Sequence, residues 1–219
     1  MSKQLETIGA LDCSTTGTDY LVFLVGAVFA DHVEIVAMYR RQKPQLESTL
    51  TTVAAMAKEY EIDRIVVETT GGVGELYREE IERRDDIEAV AIGFNTTATS
   101  KPLAIERLQL FLERGWVVIP PAAKIIADEL AAFQREGRKL EASKGNNDDT
   151  VMALAFLVSL VEIDALEDSS DTTNLASFAP PSGMASQTKS ETRGMFSGGN
   201  RGGRMGDRGN RGSTRWRNR

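Results

Sequence analysis

One stretch constrains this chain more than any other: residues 146–160, N-N-D-D-T-V-M-A-L-A-F-L-V-S-L. Two adjacent carboxylates, Asp148 and Asp149, head an otherwise apolar run. The run is too long for an ordinary strand and too short to cross a bilayer, so it reads as a buried helix. Asn146, Asn147 or Asp148 can cap it, because their side-chain oxygens accept from the free N–H groups of the first turn. Acids at a helix start are also favoured by the helix dipole, which alone is a sufficient structural reason for the pair. Two further carboxylates at the ends of predicted strands give the pair a second meaning.

At 219 residues the chain suits one domain of ordinary size with an appendage. The single cysteine, Cys13, excludes an internal disulfide framework and a cysteine-based zinc site, and fits a reducing compartment. The polar start, residues 1–6, lacks the pattern of a signal peptide. No apolar run approaches the roughly 18 residues that suggest a membrane span. Charge is uneven: residues 189–219 hold nine Lys or Arg and two acids, whereas residues 1–188 hold 17 basic and 30 acidic residues. An acidic body disfavours broad electrostatic binding of duplex DNA, so any nucleic-acid contact there has to be local or metal-assisted. The basic end reads as an interaction arm.

Three closely linked strands over residues 7–39 predict an antiparallel meander, with Asp12 at the end of the first. Strands and helices then alternate from residue 45 to 119, which predicts parallel crossover units. Within that part, R-I-V-V-E is a short strand ending on Glu68, and G-G-V-G at residues 71–74 opens a charged helix. That loop lacks the third glycine of a dinucleotide site, and no G-x-x-x-x-G-K-[ST] loop occurs. A helix capped by Ser100 or Lys101 runs to Arg114 and stops at Gly115, and another covers residues 122–133. Residues 1–165 form the folded domain in this reading. Residues 166–219, dominated by Ser, Gly, Arg and Asn, cannot bury enough apolar surface to order themselves and are expected to be a disordered basic tail.

The predicted layout lets Asp12, Glu68 and Asp149, with Asp148, converge at one edge of a central sheet, where strand ends line a cleft. Oxygen donors without His or Cys suit Mg²⁺ or Mn²⁺. Two such ions, roughly 3.5–4 Å apart, activate water and stabilise the leaving oxygen of a phosphodiester. Each acid also has an ordinary explanation as a strand end or a helix start.

The segments L-D-C-S-T-T-G-T-D-Y, I-V-V-E-T-T-G-G-V-G, T-T-A-T-S-K-P, I-A-D-E-L-A-A-F-Q and E-A-S-K-G-N-N-D-D-T-V-M-A-L-A occur in this order. In them the chain resembles the nuclease domain of the large terminase subunit of tailed bacteriophages, most closely the T-even kind, over about residues 5–162. The resemblance implies an α/β, RNase H-like (RuvC-type) fold: a central mixed sheet, three antiparallel strands then parallel ones, flanked by helices. It implies a metal-dependent endonuclease cutting concatemeric double-stranded DNA during packaging, with two Mg²⁺ or Mn²⁺ ions. By position, Asp12 is the first-strand ligand, Glu68 the shared ligand, and Asp149 or Asp148 the ligand at the last helix. Asp149 is favoured on helical phase, since Met152 lies where related resolvases carry a second helix ligand. Asp19 matches an outer-shell acid. Asn147 stands where family members often carry a His. Implied partners are a terminase ATPase domain or subunit, the portal and the small terminase subunit. The implied setting is the host cytoplasm at the procapsid, with no membrane.

Lys101 is a candidate for contact with the scissile-strand phosphate, and Arg201, Arg204, Arg208, Arg211, Arg215 and Arg217 are candidate DNA contacts in the tail. Two other readings share the fold. A RuvC-type resolvase would use the same acids on four-way junctions, and a non-catalytic RNase H-like module would bind nucleic acid without cutting it.

Overall fold

A computed structural model describes residues 3–13, 19–136, 139–142 and 148–162, without the side chains of 134–142. They lie in the first of two units into which the chain divides, Met1–Thr173 and Asn174–Arg219. The expected tail and its six arginines fall outside the described residues, as do Asn146, Asn147 and residues 14–18.

The meander forms as expected: β1 (Gln4–Asp12), β2 (Tyr20–Phe29) and β3 (Val33–Gln42) pair antiparallel. Helix α1 (Leu46–Glu59) leads to β4 (Arg64–Glu68), and α2 (Val73–Arg83) to β5 (Val90–Phe94). Helix α3 (Ser100–Glu113) precedes the two-residue β6 (Val117–Val118). A 3-10 turn, Pro121–Ala123, enters α4 (Lys124–Ala132). The polar stretch before the last helix carries a hairpin, β7 (Phe133–Glu136) with β8 (Lys139–Ala142). Helix α5 is Asp149–Ser159.

The main sheet has the order β5-β4-β1-β2-β3-β6, with β4, β5 and β6 joining their neighbours in parallel. Each face carries its own core. Ile8, Ala10, Val22, Leu24 and Val66 point to α3, α4 and α5. Leu11, Phe23, Val25, Ile65 and Val67 point to α1 and α2. Strand β2 is covered on both faces, which is why its sequence is continuously apolar rather than alternating.

Helix α5 is buried from Asp149 to Val158, so its apolar residues need no polar face. Each fully buried Leu or Phe there contributes about 1.5–3 kcal/mol. A helix placed this deep must have its end groups satisfied by other elements. At its C-terminal end Arg107 donates to the carbonyls of Val158, at 2.8 Å, and Val161, while Arg64 donates to that of Leu160 at 3.2 Å.

Two expected caps are built differently. No Asp148 side-chain bond caps α5. Ser100 lies inside α3, and the Thr97 hydroxyl accepts from the N–H groups of Thr99 and Ser100 instead.

Candidate metal centre

Sheet register brings the first two acids together. Ala10 pairs with Val66 and Leu11 with Val67 across the parallel β1–β4 ladder, so the next residues, Asp12 and Glu68, end adjacent strands. Side chains alternate along a strand. Asp12 shares the face of Ile8 and Ala10, and Glu68 that of Val66, which is the α5 face for both. Cys13, the residue after the strand, packs against the other core, as alternation continued past Asp12 predicts.

The end of β4 is fixed by a close backbone approach. Gly71 and Gly72 turn with φ of 81° and 86°, conformations that suit glycine. The chain then passes so near the strand that a Cβ on Gly74 would lie 1.6 Å from the carbonyl oxygen of Glu68. The G-G-V-G loop therefore seats the strand end that carries Glu68. The Thr70 N–H donates to Glu68 Oε1 at 3.2 Å.

Helix α5 delivers the third and fourth acids. Asp149, 7 % exposed, accepts from the Tyr20 backbone N–H at 3.0 Å. Asp148 faces Lys101 of α3, 3.6 Å from Nζ to Oδ2. Burial, followed by the charges of Asp149, Glu68 and Asp148, holds the Asp12 carboxyl well above the usual carboxylate range, and Lys101 pulls it down. Burial raises Asp149 to about 6; the Tyr20 N–H opposes this, while Glu129, Asp19 and Asp148 add to it. Exposed Asp19 thus acts on Asp149 through charge and also precedes the residue whose N–H holds it.

Four carboxylates and one lysine leave this corner with surplus negative charge. Among the described residues no three Asp, Glu, His or Cys side chains are drawn in closely enough to hold a metal ion as they stand. Mutual repulsion is a physical reason for them to stand apart. Their chemistry, hard oxygens with one ammonium and no imidazole or facing thiol, fits a hard divalent cation.

Glu129 and Arg40 were not anticipated from sequence. Glu129 of α4 is 5 % exposed and accepts from the Thr150 N–H at 2.9 Å and the Thr150 hydroxyl at 2.5 Å. Its other oxygen takes Arg40 Nη2 at 2.9 Å. The signal was an acid three residues after Ile126, on the inward face of the helix. The Arg78 and Arg83 guanidinium groups, by contrast, pair with acids of their own helix, as their i,i+3 and i,i+4 spacing predicts.

Residues 9–159 match the Terminase RNaseH-like domain family. The chain belongs to that family. Its six-stranded mixed sheet flanked by helices is an α/β fold of the RNase H-like kind. The large terminase nuclease of thermophilic phage G20c is 25% identical, covering 72% of this chain and 83% of that one, with a TM-score of 0.61. The same nuclease with bound magnesium is 27% identical, covering 72% and 82%, with a TM-score of 0.60. The large terminase of thermophilic bacteriophage D6E in complex with ADP shares the fold at 9% identity; 73% of this chain matches 40% of that one, with a TM-score of 0.56. No curated protein matches the sequence.

Proposed function

We propose that this chain is the nuclease of a phage large terminase, an endonuclease that hydrolyses concatemeric double-stranded DNA at two Mg²⁺ or Mn²⁺ ions. The observation that carries the reading is the gathering of Asp12, Glu68, Asp148 and Asp149 at one end of the sheet, near enough for their charges to act on Asp12, with Lys101 beside Asp148. Family membership and the magnesium-bound G20c nuclease support it. Asp12, Glu68 and Asp149 would hold the ions, with Asp148 as a further donor. Bound there, divalent cations supply a water of lowered pKa and positive charge for the leaving oxygen.

The chain's own residues do the rest. The adjacent ends of β1 and β4 present Asp12 and Glu68 side by side, and the Tyr20 N–H orients Asp149. Lys101 pairs with Asp148 and stands where a scissile-strand phosphate would meet it. Asp19 acts from outside this set. The tail arginines Arg201, Arg204, Arg208, Arg211, Arg215 and Arg217 would add contacts to DNA phosphates that depend on charge rather than sequence. The chain matches only part of the D6E large terminase, which supports an ATPase motor on another segment or chain. The portal and the small terminase subunit are the further partners in this reading, at the procapsid in the host cytoplasm. The ordered motif segments support a terminase of the T-even kind in this reading.

The test is cleavage of linear and branched duplexes by the purified chain. Linear DNA should be cut with Mg²⁺ or Mn²⁺, EDTA should stop it, and Asp12→Ala should abolish it. Cutting confined to four-way junctions would point to a resolvase. Binding without cutting would point to a non-catalytic module.

A further inference from the structure

The first turn of α5 is held from outside the helix. Asp149 and Thr150 open it, and no Asp148 side-chain bond caps their N–H groups. Glu129, reaching across from α4, takes the Thr150 N–H and the Thr150 hydroxyl with one oxygen. A carboxylate at this end also meets the positive end of the helix dipole. With the cap supplied by α4, the Asp148 side chain is left to face Lys101.

A buried carboxylate next to Asp149 is costly unless it is paired. Arg40 of β3 supplies the pair, and its guanidinium lies over the Tyr20 ring, 3.3 Å from the ring centroid. Register explains why this arginine and not its neighbour does so. Arg40 pairs with Val22 on the α5 face of the sheet, whereas Arg41 is exposed. The same Tyr20 gives its backbone N–H to Asp149. Two routes therefore lead from Arg40 to Asp149. One runs through Glu129 and Thr150, the residue next to Asp149 in the helix. The other runs through the Tyr20 ring and its peptide N–H.

We propose that the buried Arg40–Glu129 pair is a positioning unit that clamps the first turn of α5 and so sets how tightly the Asp149 end of the centre takes up a divalent cation. This rests on the nuclease reading for its cation. Glu129 and Arg40 touch neither DNA nor metal in this account. They fix a backbone on which a ligand rides, and groups that orient metal ligands typically matter to affinity nearly as much as the ligands do.

The experiment compares the full chain with Glu129→Gln, which keeps one acceptor but loses the second and the charge. Calorimetric titration with Mn²⁺ should give a dissociation constant weakened about tenfold. The half-saturating Mn²⁺ for cleavage should rise by the same factor, while the rate at saturating Mn²⁺ returns to within about threefold of wild type. In the metal-free protein, hydrogen exchange at the Thr150 and Tyr20 amides should quicken. A folded Glu129→Gln chain with wild-type Mn²⁺ affinity overturns the proposal. If that variant does not fold, Thr150→Val, which removes only the hydroxyl's bond, decides in its place: weakened Mn²⁺ binding supports the clamp and unchanged binding overturns it. A wild-type chain that takes up no Mn²⁺ overturns the nuclease reading instead, and exchange at Thr150 and Tyr20 then judges the clamp by itself.

Discussion

Two acidic corners sit at opposite ends of β4, and they behave differently. Asp63 precedes the strand's first residue, and with Glu61, Asp85, Asp86 and Glu88 it lines an open cleft. Glu68 is the strand's last residue and belongs to the corner with Asp12, Asp148 and Asp149. The cleft holds more acids, but all five are exposed. Asp63 accepts from the Thr7 N–H at 2.7 Å, and Arg84 holds Asp86 below its usual carboxylate range. In the other corner the acids press on one another, and Asp12 and Asp149 are raised. Number of carboxylates is thus a poor guide to a site. Withdrawal from water together with convergence is what makes a cation worth binding.

Four substitutions test that contrast. The largest effect is expected from Glu68→Ala, which should lower the metal-dependent cleavage rate at least about a hundredfold by removing several kcal/mol of charge stabilisation. Measured in the same assay, retention of even a third of the rate would remove Glu68 from the centre.

Next is Gly74→Ala. Its Cβ would meet the backbone of Glu68, so either α2 or the end of β4 must move. Loss of about 1–3 kcal/mol in a urea titration is expected, along with slower cleavage. A neutral result would show that the loop does not seat the strand end.

Third is the pH dependence of Asp149, whose folded value of about 6 lies above its ordinary 3.8. The folded state therefore holds this proton more tightly than the unfolded one. Stability from the protonated carboxyl is full below the ordinary range and is lost as pH rises through about 6. Asp149→Asn keeps an acceptor for the Tyr20 N–H without the charge. The metal-free variant should melt about 3 °C above wild type near neutral pH, roughly 1 kcal/mol, with no gain in strong acid. Mn²⁺ should raise the wild-type melting temperature and leave that of the variant where it was.

The smallest effect belongs to the far cleft. Asp86→Asn breaks an exposed pair with Arg84, so stability should move by about 0.5 kcal/mol or less. Cleavage should match wild type. A marked loss of activity there would end the distinction between the two corners.

Much of this was legible in the chain. Strong periodic signals gave the meander, the crossover order and the buried last helix, because apolar alternation and length report which faces are covered. Asp12 and Glu68 could be read as strand ends since each closes an apolar run. Asp148 read as a possible cap of α5 and makes no such bond, because sequence shows neighbours along the chain and not a carboxylate arriving from another helix. The hairpin before α5 was equally hard to read, being short and polar.

What the sequence determined alone is the set of elements and the acids at their ends, since hydrophobic period and turn chemistry are local properties. Only tertiary structure decided which acids meet. Parallel register put Asp12 beside Glu68, and a glycine-tight turn fixed that strand end. A buried Arg40–Glu129 pair from two distant elements holds the helix that carries Asp149. Burial and charge are properties of the assembled surroundings, so the same carboxylate is a solvated surface group in one corner and a raised, crowded one in the other.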